Sequence, residues 1–437
     1  MKALLLAAAA LAAPLATAPA AAETVAITNA TLGLGDGSAP IERGTVVIRD
    51  GRIAAAGRGV AVPAGARVVD GTGKWVVPGF VAGFSRVGLA EVDAVDETND
   101  TSARKSPFSA ALDVAPAINP RAAAIAVSRG RGVTRAVVAP ESSHAIFGGQ
   151  GAVIDMGVDA DPITRAQAFQ YVELGEQGAE EAGGSRPAAY AWFRNALMEA
   201  RDYARSPQAY QGGRSRDALL MKLDAAALVP VVEGREPLLV HVERAADIRA
   251  VLALRREFPA LKLVLVGASE GWTIAPEIRA AGVPVIAAAL KDLPAAFETL
   301  AATQSNIGRM TAAGVPVAIG MINEDETRMV RNSNQLAGNL VALGRLPGAT
   351  GLSWGQALAA ITSKPAAAVG LAGQIGQLGA GARADVVLWD GDPLELQSAP
   401  VAMWIDGVQQ PLESRQTRLR DRYRSLDPQA LPKAYDR

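Results

Sequence analysis

The sequence predicts an α/β protein in which short β-rich segments from both ends of the chain enclose a long middle region of alternating strands and helices. Three observations lead there. Residues 24–29, 44–49 and 52–57 are short β-type runs separated by turn residues, and so are 384–389 and 401–407 at the far end. Between them, apolar β-like runs alternate with helical stretches that carry charged faces. Repeated strand–helix units put strands side by side in parallel, because each helix returns the chain to the same end of the sheet.

The N-terminal β module holds a hairpin signal, Asp50-Gly51 between two β runs, where both turn positions favour positive φ. So few strands would leave too much apolar surface bare. The missing strands are the C-terminal runs, and we expect one composite β-sandwich from residues 23–77 and 371–410. In the middle region, 78–370, strand candidates are 132–138, 238–242, 261–266, 283–287 and 316–320, and helix candidates are 245–258 and 295–313. A closed barrel and an open doubly wound sheet both satisfy this pattern, but no GxGxxG or Walker-type loop follows a strand. Residues 173–215 read as a polar insertion around a helix at 187–205. The segment 411–437 reads as a polar tail with a solvated helix over 413–424.

Composition narrows the function classes. The 437 residues are 49% hydrophobic and 20% charged with a net charge of −1, which favours neither disorder nor attraction to nucleic acid or anionic membrane. With no cysteine, disulfides, thiolate metal sites and cysteine nucleophiles are excluded. Only two histidines occur, His144 and His241. Residues 1–22 have the form of a secretory signal, with Lys2, an apolar run from Leu4 to Leu15, and Ala20-Ala21-Ala22 before Glu23. The run is shorter than the roughly 20 residues of a membrane-spanning helix. A mature protein beginning near Glu23, periplasmic or secreted, is expected, with no membrane or nucleic-acid partner.

Two motifs carry a family resemblance over nearly the whole mature chain. The stretch Val69-Asp70-Gly71-Thr72-Gly73-Lys74-Trp75-Val76-Val77-Pro78-Gly79-Phe80-Val81 resembles the approach to the first barrel strand in the amidohydrolase superfamily, of the imidazolonepropionase and dipeptidase-like type. The run from Ala357 to Pro365, then Gly376 to Val387 and Asp390-Gly391-Asp392-Pro393-Leu394, is similar to that family's return into its β-sandwich. The resemblance implies a (β/α)8 TIM-type barrel with its site at the carboxyl ends of the strands. It also implies one or two divalent metals, held by a His-x-His pair after strand one, a carboxylate or modified lysine at strand four, histidines at five and six, and an aspartate at eight. Such metals lower the pKa of bound water from about 16 to about 7 and polarise the scissile carbonyl.

The ligand positions depart from that pattern. Phe84-Ser85-Arg86 stands where the family has His-x-His, and only the strand ending in His241 keeps its histidine. The sixth strand ends in Gly267-Ala268-Ser269-Glu270, and the eighth in Ile322 or Asn323 in place of aspartate. Two histidines cannot supply four ligands. His241 reads as a relic bonded within the barrel mouth or as a surviving acid–base group, and Glu270 is its candidate catalytic partner. Arg86 could hold a ligand carboxylate bidentately or simply pair with a neighbouring acid. His144 and Gln150 lie in a segment resembling a "GGQG" loop of the family, which could equally be tight-turn scaffolding. Together with Asn323 these are the substrate-binding candidates. Glu176 and the run Glu324-Asp325-Glu326 read first as charges at helix N-termini.

The expected function is therefore an amidohydrolase-type protein for non-peptide or dipeptide carbon–nitrogen bonds, with its metal mechanism disabled. Its role would be to bind a small amide or peptide as a homo-oligomer or as partner of an active homologue, without a cofactor. The rival is a working hydrolase using His241 and carboxylates with at most one weakly held zinc.

Overall fold

In the computed structural model, which describes residues 23–208, 218–322 and 326–424, sixteen strands form two eight-stranded sheets. The expected signal segment 1–22 lies outside the described residues. Strands β1 (Val25–Leu32), β2 (Ile41–Arg49), β3 (Arg52–Arg58), β4 (Arg67–Asp70) and β5 (Trp75–Pro78) come from the N-terminal end. The middle supplies β6 (Phe80–Ser85), β7 (Val133–Val138), β8 (Phe147–Asp155), β9 (Ile163–Glu173), β10 (Pro237–Val242), β11 (Lys262–Gly267), β12 (Val285–Ala287) and β13 (Val317–Ile319). Strands β14 (Val386–Trp389), β15 (Pro400–Ile405) and β16 (Val408–Gln409) close the chain.

The two chain ends meet as expected, because β14 pairs antiparallel with β5 in the sheet order β16-β15-β14-β5-β1-β2-β3, with β4 on β1. The β2–β3 turn takes the anticipated backbone, with φ of 50° at Asp50 and 72° at Gly51. That sheet curls until its distant parts touch: Ile53 N–H donates to Ala382 O and Ala384 N–H to Gly51 O. Val25, Ile27, Ile48, Val76, Val386 and Trp404 are buried inside the curl.

The second sheet runs β6 to β13 in chain order and is nearly closed, with Met321 N–H donating to Phe84 O where its two ends meet. Its pairing is mixed. β8 runs antiparallel to both β7 and β9, whereas the other pairs are parallel. The strands β8 and β9 went unmarked in the sequence because Gly148, Gly149, Gly151, Gln167 and Gln170 interrupt their apolar pattern. The helix expected at 187–205 forms as Arg186–Arg205. The one expected at 295–313 does not form as a unit: a 3-10 turn, Phe297–Thr299, precedes a helix at Asn306–Ala312. Backbone donors that a continuous helix would use are taken instead by carboxylates, Ala301 N–H by Glu270 and Gln304 N–H by Asp292.

One buried ion cluster ties the two sheets together. Arg135 on β7, 1% exposed, is gripped bidentately by Asp385, with Nε–Oδ2 at 2.7 Å and Nη2–Oδ1 at 3.0 Å, and Asp406 adds a contact at 2.7 Å. Burial pulls the guanidinium pKa down, but Asp385 and Asp406 push it up further. The aspartate of the Ala384-Asp385-Val386 motif thus has a structural task. Replacing Arg135 by Met strands Asp385, which is 2% exposed, without a counter-charge. We expect R135M to lose about 3–5 kcal/mol of unfolding free energy in urea titration. An unchanged midpoint would contradict the clamp.

Candidate functional site

Side chains alternate between faces of a strand. On β9 this puts Phe169, Tyr171 and Glu173 on the barrel interior, and on β10 Leu239 and His241. The interior below is apolar, with Val81, Val137, Val153, Leu239, Val264 and Ile286 filling it. Glu173 and His241 are therefore the last inward residues of their strands, at the mouth. They line a cavity of about 190 Å³ with Phe84, Arg86, Glu141, Ser142, Tyr171, Gln177, Ile322 and Glu326.

His241 is the hub of a chain of charges. Its Nδ1 lies 2.8 Å from Glu173 Oε1 and 2.7 Å from Oε2. Glu173 is oriented in turn by the Tyr171 hydroxyl at 3.1 Å and by Gly175 N–H at 2.8 Å. On the other side, Nε2 stands 3.4 Å from Glu243 Oε1, in ion-pair range but without hydrogen-bond alignment. Glu243 follows β10 directly and accepts from Lys291 Nζ at 3.1 Å and from Ser269 N–H at 2.8 Å. Gly267 makes room for it: with φ of 88°, its missing side chain leaves space that the Glu243 carboxylate fills.

The electrostatics follow from this enclosure. Burial alone would lower the His241 pKa, but the charges of Glu173 and Glu243 raise it well above 6.5 and favour the protonated ring. Burial works to raise the Glu243 pKa, yet the nearby charges of His241 and Lys291 and the Ser269 N–H bring it down to about 2. Arg86 forms an ion pair with Glu326 at 2.9 Å and lies over the Phe84 ring at 5.9 Å. Glu326 is raised by burial, partly offset by Arg86.

The structure brings some of the sequence-derived candidates together and not others. His241 and Arg86 share the cavity, and Arg86 has an acidic neighbour there. Glu270 does not line it, since its carboxylate accepts from Ala245 N–H and Ala301 N–H. Gln150 is buried on β8, its backbone joined to Leu112 and Val114 and its side chain reaching Ala111 O at 3.5 Å, away from the cavity lining. His144 sits beside Ser143, Nδ1 to Oγ at 3.4 Å, also outside the lining. Glu176 opens the helix Glu176–Glu181, 3.8 Å from Arg186. Asn323, Glu324 and Asp325 lie outside the described residues. Sequence reasoning missed Glu173, Glu243 and Lys291. Glu173 was read as the start of a polar insertion because β9 was not recognised. Glu243 carried a usable signal, being two residues after His241 and so on the same face if the strand is extended.

The donors at this mouth do not match a set for two divalent ions. His241 directs one ring nitrogen at Glu173 and the other towards Glu243, while Arg86 lines the cavity and Lys291 is bonded to Glu243. An incoming cation would have to remove the imidazolium proton and sit near fixed positive charges. Among the described residues, no group of three or more His, Asp or Glu side chains is placed to hold a metal ion. Nor is any described helix long and apolar enough to cross a membrane.

A family model described as amidohydrolase family matches residues 294–410. Amidohydrolase tasK of Hapsidospora irregularis is 26% identical over 409 residues, covering 86% of this chain but 40% of its own length, so the chain spans about two fifths of that relative. Among solved structures, an amidohydrolase from Thermotoga maritima MSB8 superposes with a TM-score of 0.76 at 24% identity, covering 88% of this chain and 99% of that one. A molinate hydrolase superposes at 0.53 with 16% identity, covering 90% and 95%. These likenesses of solved structures concern the fold.

Charge on His241 sets a pH rule. Its folded pKa lies above the ordinary 6.5, so the stabilisation from its ion pairs is complete below that value and is lost as pH rises through the folded pKa. With two histidines in the chain, the ring protons are easily assigned by NMR. We expect the His241 Cε1–H to keep its imidazolium position near pH 7 and to shift to the neutral position in Glu173→Gln. A neutral ring in the unsubstituted protein would refute the charge assignment.

Proposed function

We propose that the chain is an amidohydrolase-type protein whose metal-dependent hydrolysis of carbon–nitrogen bonds is disabled and whose barrel mouth binds a small amide or peptide ligand, a reading supported by the family match over residues 294–410 and by the 26% identical relative. The observation that carries this reading is the buried His241, with Glu173 2.7 Å from one ring nitrogen and Glu243 3.4 Å from the other, an enclosure that favours the protonated ring. A metal-ligating imidazole must be neutral with a free lone pair, and an imidazolium has none. Arg86 and Lys291 supply positive charge on the chain itself, where relatives described by the resemblance would use metal ions.

The proposal includes a β-sandwich built from both chain ends beside the barrel, whose antiparallel β8 departs from the all-parallel (β/α)8 pattern expected from the sequence. It includes export to the periplasm or medium with cleavage near Glu23, and association with a second copy or an active homologue.

A second reading has one observation in its favour. The 2.7 Å contact between Glu173 and His241 is the arrangement of an oriented acid–base pair. As an imidazolium, His241 would act first as a general acid, with hydrolysis needing a separate base such as Glu141 or Glu326 in the cavity wall. A single weakly held zinc could then assist.

Elemental analysis of protein purified from its native host, without chelator, separates the two. We expect zinc well below one ion per chain, no turnover of dipeptides or cyclic amides, and co-purification of a second barrel chain. Stoichiometric, tightly held metal, or turnover that vanishes in His241→Ala, would establish the hydrolase instead.

A further inference from the structure

The walls of the barrel mouth have unequal charge and unmet donors, and together these specify a ligand. Among the described residues three carboxylates line the cavity, Glu141, Glu173 and Glu326, with one guanidinium, Arg86, and one imidazole, His241. Glu173 is matched by His241 and Glu326 by Arg86. Glu141 is left over. Its contacts are with Thr101, through Glu141 N–H to Thr101 O at 2.8 Å and Thr101 Oγ1 to Glu141 Oε2 at 3.4 Å, and it has no ion-pair partner among the described residues. The surplus is felt nearby: burial raises the Glu181 carboxyl to about 7, and repulsion from Glu173 and Glu141 adds to that.

The second observation concerns donors. Arg86 Nε is buried and has no hydrogen-bond partner among the described residues, and His241 Nε2 has only Glu243 Oε1 at 3.4 Å, out of hydrogen-bond alignment. His241 is 7% exposed, and both residues belong to the cavity wall. A buried N–H without an acceptor costs the desolvation it underwent, so an oxygen acceptor brought to this wall is stabilised by more than its own hydrogen bond. The cavity is below the several hundred Å³ typical of drug-sized ligands, which limits the occupant to a few heavy atoms.

We propose that the mouth binds a small α-amino compound, an amino acid or its amide, with the ammonium on Glu141 and the carbonyl or carboxylate oxygen on the Arg86 and His241 side. This rests on the metal-free reading above and adds the ligand's chemistry to it. An ammonium matches the uncompensated carboxylate, and the oxygen supplies the missing acceptor. Phe84, Tyr171 and Ile322 leave an apolar flank for a short side chain. A ligand with only one of the two groups satisfies only one wall.

Isothermal titration calorimetry with chelator present tests this. The probes are L-alaninamide, L-alanine, N-acetyl-L-alaninamide, which lacks the ammonium, and isopropylamine, which lacks the acceptor. The expected result is saturable binding of the first two and at least about tenfold weaker binding of the others. In Glu141→Gln, with an unchanged circular dichroism spectrum and melting temperature, the preference for L-alaninamide over its N-acetyl form should disappear. Equal binding of the acetylated and free amines, retention of the preference in E141Q, or failure of all four probes would overturn the assignment. A repeat without chelator and with added zinc keeps the two ideas apart. Binding of amino compounds that requires zinc would sink the metal-free reading while leaving the ligand class standing.

Discussion

A charge removed from water must be neutralised where it sits, and this constraint organises the protein at both ends of its barrel. At one, Arg135 has two close carboxylates, Asp385 and Asp406, from the C-terminal part of the chain, so the middle sheet and the terminal sheet are held together by one guanidinium. At the other, His241 is enclosed by Glu173 and Glu243, and Glu243 by Lys291. Neither cluster tolerates the loss of one member, since what remains is an unpaired buried ion.

The mouth cluster shows what a metal site and an ion-paired histidine ask of the same strand ends. A metal site and an ion-paired imidazolium use the same inward strand ends, but they need opposite states of the histidine ring. Once carboxylates flank both ring nitrogens, protonation is the cheapest way to satisfy them, and a proton takes the place that a metal would otherwise compete for. The arginine two residues beyond Phe84 and the lysine after β12 strengthen the same outcome, because they add fixed positive charge near the mouth. Among the described residues Glu141 has no ion-pair partner, and this is the feature on which the proposed ammonium ligand rests.

Much of this was legible in the residues. The composite sheet could be read from β-type runs at both ends of the chain, and the Asp50-Gly51 turn from its local preference for positive φ, because strand pairing across a tight turn is a short-range matter. The retained histidine was found because β10 is a continuous apolar run ending at His241. Scarcity of histidine was itself a chemical statement that needed no structure. Glu173 was not legible, since β9 mixes polar and apolar residues over Ile163–Glu173 and its pairing with β8 is antiparallel. The helix expected over 295–313 failed for a related reason: side chains distant in sequence take its backbone donors.

By itself, then, the sequence determined the α/β class, the union of the chain ends, the absence of thiol chemistry and the shortage of imidazole, all of which depend on composition or on neighbours along the chain. Only the tertiary structure decided which carboxylates face His241, that Arg86 has Glu326 beside it, and that Glu141 has no ion-pair partner among the described residues. Ionisation and pairing depend on distances of a few ångströms between residues separated by tens to hundreds of positions, and no local pattern encodes those distances.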